Sequence, residues 1–500
     1  MIALPLLLPL VFAVFSLLAW RLINVQKVIA VLGSLVLLAV NLAIFLQVQQ
    51  GGVLSIQVGR WTAPFGVSLV VDLLSAILLL TASLAALAAA VFSLAGMDAP
   101  RLRWGYFPLF HFLMMGVNGA FITGDLFNLY VWFEVMLMSS FVLMVLGSGR
   151  FQLEGGLKYV ILNLLSSMLF LSAIGLTYHF TGALNLADLA RRMPAVEPRG
   201  LTVLIGVLFM VGFGIKAALF PLYFWLPASY HTPPVTIAAL FSGLLSKVGF
   251  YALLRVFSLL FSGQWEFFQP LLLALAGLTM VSGVLGAAAQ TDFRRLLSFH
   301  IISQIGYLVM GLALFSREAI GAAIYFTVHV IFAKMALFLI AGMVQTVSGS
   351  FDLRRLGGLY RRFPALSLAF LVPAMALAGL PPLSGFFAKL LLVIAGLQES
   401  RYVIVAVALF VSLLTLFSMT KIWNEVFWKL APVSSAGKLP SAPPQNDALP
   451  AAMWAPVVGL SVIVILMGLF ADPLSEIANR AAASLLDPQG YINVVLGGLP

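Results

Sequence analysis

One carboxylate lies in the middle of an apolar stretch of this chain. Glu134 is the only charged residue in FNLYVWFEVMLMSSFVLMVLG, which spans residues 127–147. A charged side chain at the centre of a bilayer costs about 2.5–3.5 kcal/mol on insertion-based scales, so it usually faces a paired or wet protein interior. We therefore predict that Glu134 is a functional residue.

Four lysines also lie in apolar stretches, and one of them has a histidine five residues before it. These residues are Lys216, Lys247, Lys334, Lys389 and His329. One buried carboxylate together with several buried amines indicates a path for ions or protons. An ammonium group beside Glu134 favours the ionised carboxylate, so movement of that positive charge would load or unload a proton.

Histidine and lysine suit such a path for different reasons. Histidine has an unperturbed pKa of about 6.5 and can serve as an intermediate station. A lysine that is removed from water releases its proton more readily, so it can also carry one. Lys334 lies about 140° around an ideal helix from His329, so the two need not share a side, and we place it below the other candidates.

Each candidate also has a structural alternative. Glu134 and Lys216 would then form a buried ion pair, Lys247 would extend to the membrane surface, and His329 would satisfy a local hydrogen bond. Lys389 would cap the carbonyls of a broken helix. The number of such residues in one chain favours the functional interpretation.

The composition identifies the environment of these residues. Hydrophobic residues make up 62% of the 500-residue chain and charged residues 9%, and the mean hydropathy is +1.10. Such a chain is an all-α polytopic membrane protein. About 20 apolar residues cross a bilayer, which predicts about fourteen spans, near 2–20, 28–48, 67–96, 105–123, 126–147, 156–180, 201–226, 234–262, 268–289, 296–315, 319–347, 364–397, 402–428 and 452–471.

The distribution of lysine and arginine predicts the orientation. Odd-numbered connections carry more of these residues than even-numbered ones, so both termini are expected on the outer side of a bacterial inner membrane. The first apolar segment lacks a basic n-region and a clear cleavage site, which favours a retained span over a signal peptide.

Prolines interrupt two of the predicted spans close to a lysine. Pro221 follows Lys216, and the pair Pro381 and Pro382 precedes Lys389. Proline removes a helical hydrogen bond, and paired interruptions are typical of transporters built from inverted repeats. We predict two discontinuous helices and two inverted five-helix repeats. The predicted regions are 1–104 (spans 1–3), 105–262 (first repeat), 268–428 (second repeat) and 429–500 (a loop, the last span and a tail).

Four dispersed motifs resemble those of the antiporter-like proton-translocating subunits, a superfamily shared by Mrp cation/proton antiporters, respiratory complex I and membrane-bound hydrogenases. They are GDLFNLYVWFEVMLMSSFVLMVLG (124–147), KAALFPLYFWLPASYHTPPVTIAALFSGLLSKVGFYALLR (216–255), QTDFRRLLSFHIISQIGYLVMG (290–311) and LAGLPPLSGFFAKLLL (377–392). The resemblance covers about residues 65–430. The wording of the first motif is most similar to the D-type branch of the Mrp antiporter subunits.

This resemblance implies roles for individual residues. Glu134 matches the fifth-span glutamate that pairs with a seventh-span lysine, here Lys216. Lys247 matches the lysine near the bilayer centre, His329 the eleventh-span histidine, and Lys389 the terminal lysine of the twelfth span. The implied partners are other subunits of a hetero-oligomeric membrane complex, together with the lipid bilayer, protons and Na⁺.

Three functions remain open from the sequence. The first is a proton-translocating subunit of a multisubunit Na⁺/H⁺ antiporter. The second is a proton-pumping subunit of NADH-quinone oxidoreductase or of a membrane-bound hydrogenase. The third is a structural membrane subunit with an inactive path.

The sequence gives no reason to expect an enzyme or a cofactor. It contains no P-loop, zinc-type His/Glu spacing or dinucleotide fingerprint, and it has no cysteine for thiolate-bound clusters. The net charge of +10 is spread over loops between apolar spans, which argues against nucleic-acid binding. We expect no cofactor and no metal site.

Overall fold

The fold is a bundle of apolar helices. The structure is a computed structural model, and it describes residues 1–61, 66–430 and 449–497. Helices dominate because the hydrocarbon core offers no water to backbone N–H and C=O groups, and a helix satisfies these groups within one segment.

The helices, in chain order, are α1 (Leu4–Leu18), α2 (Ile23–Gly51), α3 (Leu73–Gly96), α4 (Ala99–Arg103), α5 (Tyr106–Ile122), α6 (Leu126–Val145), α7 (Arg150–Thr181), α8 (Leu186–Arg192), α9 (Arg199–Ala217), α10 (Trp225–Ser229), α11 (Val235–Leu260), α12 (Trp265–Ala289), α13 (Phe293–Leu314), α14 (Arg317–Ser348), α15 (Leu359–Arg362), α16 (Pro364–Ala378), α17 (Ser384–Gln398), α18 (Tyr402–Ile422), α19 (Ala451–Leu469), α20 (Ala471–Leu486) and α21 (Gln489–Leu496). A π-helical segment, Trp423–Trp428, continues α18. Two strands, β1 (Leu54–Gln57) and β2 (Ser68–Val71), pair antiparallel with Leu54 opposite Val71.

The helices confirm a polytopic membrane protein. Within the described residues, eleven helices are long and apolar enough to cross a membrane. Shorter apolar helices are α1, α5, α16 and α17. The number of crossings and the boundaries of the two inverted repeats remain predictions.

Two predicted spans were longer than a bilayer requires, and the structure shows why. The segment 67–96 begins with strand β2, and its helix starts only at Leu73, after the N-cap Asp72. The segment 364–397 contains two helices, α16 and α17, separated by residues 379–383. The extra length therefore reflects a strand in one case and a break in the other.

Three helices form the centre of the bundle. All 26 residues of α11 are buried, and most residues of α13 and α14 are buried too. A helix that is covered on every side belongs to the interior of the protein. Helix α11 carries Lys247, and α14 carries His329 and Lys334, so these predicted polar residues lie where the chain is most enclosed.

The two predicted repeats contain the same local arrangement. Asp125 caps the N-terminus of α6, and Asp292 caps that of α13. A single antiparallel bridge joins Asp125 to Asn185, and another joins Asp292 to Asp352. This likeness supports a common design of the two units.

The end of the chain contains more structure than the predicted tail. Helices α20 and α21 follow the last apolar helix, and Tyr325 Oη of α14 donates a hydrogen bond to the Met467 carbonyl at 2.6 Å. Arg317 and Glu476 form an ion pair between α14 and α20 at 3.3 Å. Residues 431–448 and 498–500, part of the fourth predicted region, lie outside the described residues.

Candidate functional site

A serine links the two charged residues of the first predicted repeat. Lys216 Nζ donates a hydrogen bond to Ser167 Oγ at 3.0 Å, and Ser167 Oγ donates one to Glu134 Oε1. Lys216 is 5% exposed, whereas Glu134 is partly exposed on the side of α6. The ammonium also lies 4.9 Å from the centre of the Phe133 ring. The structure thus brings Glu134 and Lys216 together through a hydroxyl.

Sequence reasoning did not single out this serine. Ser167 lies on α7. Serines commonly bond between membrane helices, so neither its type nor its spacing distinguishes it. Only the packing of α7 against α6 and α9 identifies Ser167 as the bridge.

A break in the helix places Lys216 in this arrangement. Helix α9 ends at Ala217, and Ala218 adopts a left-handed conformation with φ 67°. Pro221 cannot donate the hydrogen bond that would continue the helix. Trp225 Nε1 instead donates to the Ile215 carbonyl at 3.0 Å. Lys216 therefore lies in the last turn, where the helix dipole favours a positive charge. We call α9, residues 218–224 and α10 the first broken helix.

Lys247 occupies the middle of α11 and is fully buried. Its Nζ donates to the Ser242 carbonyl at 2.5 Å. A cavity of about 10 Å³ lies beside it, bounded in part by Tyr251 and Thr327. That volume is close to the minimum that holds one water molecule.

Lys216 and Lys247 are connected by close packing of their helices. Gly249, two residues after Lys247, has no side chain, and a Cβ built there would lie 2.6 Å from the Ala217 nitrogen. The end of α9 therefore rests directly on α11.

Lys334 and His329 contact different neighbours of α14. Lys334 Nζ donates to the Leu297 carbonyl of α13 at 3.3 Å, and His329 Nδ1 lies 2.8 Å from Ser384 Oγ of α17. Different neighbours fit their predicted separation around the helix. Lys334, like Lys247, is fully buried.

A second buried histidine lies in this region. His300 of α13 is fully buried, and within the described residues neither ring nitrogen has a hydrogen-bond partner. It interacts electrostatically with Lys334 and Lys389. His300 is not among the predicted site residues.

Lys389 binds the carbonyls exposed by the second interruption. Its Nζ donates to the carbonyls of Leu377 at 3.0 Å and Ala378 at 2.9 Å, and to Ser412 Oγ at 3.0 Å. Helix α16 ends at Ala378, and Gly379 follows with φ 92°. The structural alternative raised for Lys389 is therefore the geometry observed. We call α16, residues 379–383 and α17 the second broken helix.

A further buried ion pair lies at the end of α11. Arg255 donates to both carboxylate oxygens of Asp72, at 2.5 and 2.7 Å, and each residue is 3% exposed. Neither residue is among the predicted site residues, although Arg255 lies in an apolar segment. The pair joins the start of α3 to α11.

The side chains at the predicted site positions are carboxylate, amine and imidazole groups. Among the described residues, no group of three His, Cys, Asp or Glu side chains is placed to hold a metal ion. What the site offers is a series of groups that accept or release protons: Glu134, Lys216, Lys247, Lys334, His329 and Lys389.

Known proteins resemble this chain over its whole length. Residues 123–415 match the family described as "NADH:quinone oxidoreductase/Mrp antiporter, TM". The D-type subunit of the Na(+)/H(+) antiporter of Alkalihalophilus pseudofirmus is 44% identical over 496 residues, which cover 99% of this chain and 99% of that protein. A chain in the structure of the Mrp complex from Dietzia sp. DQ12-45-1b has a TM-score of 0.90 and 33% identity, with 99% of each chain covered.

The same fold also occurs in a redox complex. A chain of the archaeal membrane-bound sulfane sulfur reductase has a TM-score of 0.90 and 26% identity, again with 99% of each chain covered. The fold of this chain is therefore equally similar to a chain of the Mrp complex and to a chain of the redox complex. The sequence is closer to the antiporter subunits.

Proposed function

We propose that this chain, which belongs to the family of D-type subunits of Mrp Na⁺/H⁺ antiporters, moves protons through its buried charged side chains. As a member of that family it is a membrane subunit of an Mrp Na⁺/H⁺ antiporter, and thus a transporter subunit. The proposed relay consists of Glu134, Lys216, Lys247, Lys334, His329 and Lys389. The observation that carries the proposal is the hydrogen-bonded series from Lys216 through Ser167 to Glu134.

This series can couple charge movement to proton binding. While the Lys216 ammonium donates to Ser167, the hydroxyl is free to donate to the Glu134 carboxylate, and the negative charge is stabilised. If Lys216 loses its proton or turns toward α11, Glu134 loses that stabilisation and takes up a proton. Through Ser167, the protonation state of Lys216 therefore affects whether Glu134 binds a proton.

The relay continues through the centre of the bundle. Lys247, Lys334 and Lys389 are all buried in the interior of the bundle, and like charges repel, so we infer that a proton on one lysine opposes a proton on the next. The buried imidazoles of His329, which lies 2.8 Å from Ser384 Oγ, and of His300 belong to the same central region. A charge that arrives at one end of the relay would therefore favour transfer of a proton from each group to the next.

We further propose that this proton movement is exchanged for Na⁺ together with other subunits of the complex. The relative from Alkalihalophilus pseudofirmus is named as one subunit of a Na⁺/H⁺ antiporter, which supports this assignment. The excess of lysine and arginine in odd-numbered connections supports an orientation with both termini on the outer side of the membrane, which we propose is a bacterial inner membrane.

Three substitutions test the proposal in everted membrane vesicles that contain the assembled complex. Dissipation of the pH gradient on addition of Na⁺ is the measurement. We expect Glu134→Gln and Lys216→Ala to abolish it and Ser167→Ala to reduce it several-fold. The control is Ser172→Ala, because Ser172 is an exposed serine of the same helix.

Immunodetection of the complex separates loss of transport from loss of assembly. Normal exchange by Glu134→Gln or Lys216→Ala, with the complex present, would contradict the relay. Equal activity of Ser167→Ala and Ser172→Ala would remove the bridging role of Ser167.

A further inference from the structure

A polar cavity of about 400 Å³ opens on the side of the protein that is predicted to face the cytoplasm. It is separate from the relay and is built from distant parts of the chain. Arg101 comes from α4, Gln152 from α7 and Arg294 from α13, and the loop residues Thr232 and Pro233 also line it. The cavity therefore joins the N-terminal helices to both predicted repeats.

The unpaired groups in this cavity are hydrogen-bond donors. Arg294 uses Nη1 to bond the Pro233 carbonyl at 3.1 Å, and its guanidinium lies 3.8 Å from the centre of the Phe351 ring. Its Nε has no partner within the described residues, and neither has Nε2 of Gln152. The Gln152 oxygen already accepts bonds from Gly149 N and Arg101 Nη2, so only its donors remain.

The charges of the lining also favour an anion. Arg101 forms an ion pair with Asp98 and bonds the Leu146 carbonyl through Nε at 2.8 Å. Arg294 supplies a second guanidinium to the same cavity, whereas Asp98 is its one carboxylate among the described lining residues. Asp292 acts on Arg294 from outside the lining and uses a carboxylate oxygen to cap Arg295 N.

The cavity is accessible from the aqueous phase. Gln345 and Thr346, at the end of α14, line it and are exposed. Gln152, in contrast, is 6% exposed. A small anion could therefore enter past α14 and meet buried donors at the far wall.

We propose that this cavity binds a tetrahedral oxyanion of the phosphate class, held by Arg294 and Gln152 with Arg101 beside them. Guanidinium groups bind phosphate oxygens through strong charge-assisted hydrogen bonds. A bound anion would connect α4, α7 and α13 at the loop that precedes α11. The phosphate could be free in solution or belong to a lipid headgroup, since the binding chemistry is the same.

The test uses the purified assembled complex and two probes. Radiolabelled inorganic phosphate is measured by equilibrium dialysis, and retention of a short-chain phosphatidic acid is measured by native mass spectrometry. We expect saturable binding by the wild type and binding at least about tenfold weaker in Arg294→Gln. Arg295→Gln is the matched control, because Arg295 is the exposed neighbour of Arg294 and does not line the cavity.

Gln152→Glu keeps the proposal testable if Arg294→Gln fails to assemble. It replaces the free donors by a carboxylate of similar size, and we expect it to abolish binding. Arg294-dependent binding of free phosphate supports a solution anion, and binding of the phosphatidate alone supports a lipid headgroup. Absence of both, or equal binding by the wild type, Arg294→Gln and Gln152→Glu, would overturn the site.

Discussion

The two broken helices share a backbone design but use their lysines differently. KAALFPL (216–222) begins the first break, and LAGLPPL (377–383) begins the second. In each segment the third residue is left-handed, with φ 67° at Ala218 and 92° at Gly379. The sixth residue of each is proline. Leu377 of the second break therefore stands where Lys216 stands in the first.

The carbonyls that each break exposes have different partners. In the first broken helix the neutral indole of Trp225 donates to the carbonyl of Ile215, one residue before the position that aligns with Leu377, and the Lys216 ammonium bonds Ser167. In the second, the Lys389 ammonium donates to two carbonyls itself. One break thus positions a lysine beside a carboxylate, whereas the other depends on its lysine for its own hydrogen bonds.

The largest expected effect comes from removing Lys389. Lys389→Ala takes away both a proposed proton station and the donor for two buried carbonyls, so we expect Na⁺-dependent dissipation of the pH gradient to be abolished. Lys421→Ala is the matched control. Lys421 donates to the carbonyls of Ala288 and Gln290 at 2.9 and 2.8 Å, beyond the relay, so its loss should affect stability with little change in transport.

A second replacement separates the two roles of Lys389. Lys389→Glu keeps a group that can carry a proton, and its neutral form can still donate one hydrogen bond. We expect a measurable fraction of wild-type exchange in the same vesicles. If Lys389→Ala and Lys421→Ala were equally active, Lys389 would be structural and the contrast between the two breaks would lose its functional meaning.

Glycines test how tightly each break is packed. A Cβ at Gly385 would overlap the Ala376 carbonyl oxygen and approach the His329 ring at 2.9 Å, whereas one at Gly249 would meet the Ala217 nitrogen at 2.6 Å. We expect Gly385→Ala to lose most of the transport activity and Gly249→Ala to lose a smaller part. Backbone atoms cannot move aside as a flexible side chain can.

The control for these glycines is Gly175→Ala, in α7, where a Cβ meets nothing within 4 Å. It should be neutral or slightly stabilising, because alanine favours a helix over glycine by about 1 kcal/mol. Transport per assembled complex and the midpoint of thermal unfolding are both measured. Equal effects of Gly385→Ala and Gly175→Ala would mean that α17 is free to move away from α16.

Much of this architecture could be predicted from the sequence, because it depends on composition and on residues with strong local effects. Long apolar runs predicted the helices, and Pro221 and Pro382 predicted the two interruptions. The four lysines that lie in apolar segments are buried, whereas Glu134 is partly exposed. These signals are local, so one sequence is enough to read them.

The contacts between segments could not be predicted in the same way. Ser167 bridges Glu134 and Lys216 only because three helices converge, and serine is a common residue in membrane helices. The pairing of Asp72 with Arg255 joins residues far apart in the chain. Strand β2 lies in an apolar run whose pattern is equally compatible with a helix, so the strand could not be predicted from the sequence.

The smallest expected effect concerns the left-handed residue of each break. The left-handed conformation costs a residue with a Cβ roughly 1–2 kcal/mol, and it costs glycine almost nothing. Ala218→Gly should therefore stabilise the complex slightly. We expect a gain of only about 0.5–1 kcal/mol, because glycine also loses more conformational entropy on folding, which offsets part of the relief.

Gly379→Ala should destabilise the complex by more, because the new Cβ would also lie 3.0 Å from Lys389 Cδ. Thermal unfolding of the assembled complex measures both. Transport should fall only in Gly379→Ala, where the new methyl group presses on the lysine. A loss of stability in Ala218→Gly would instead show that packing around the first break, and not the backbone preference of residue 218, determines its conformation. The two breaks would then be similar in sequence but not in what stabilises them.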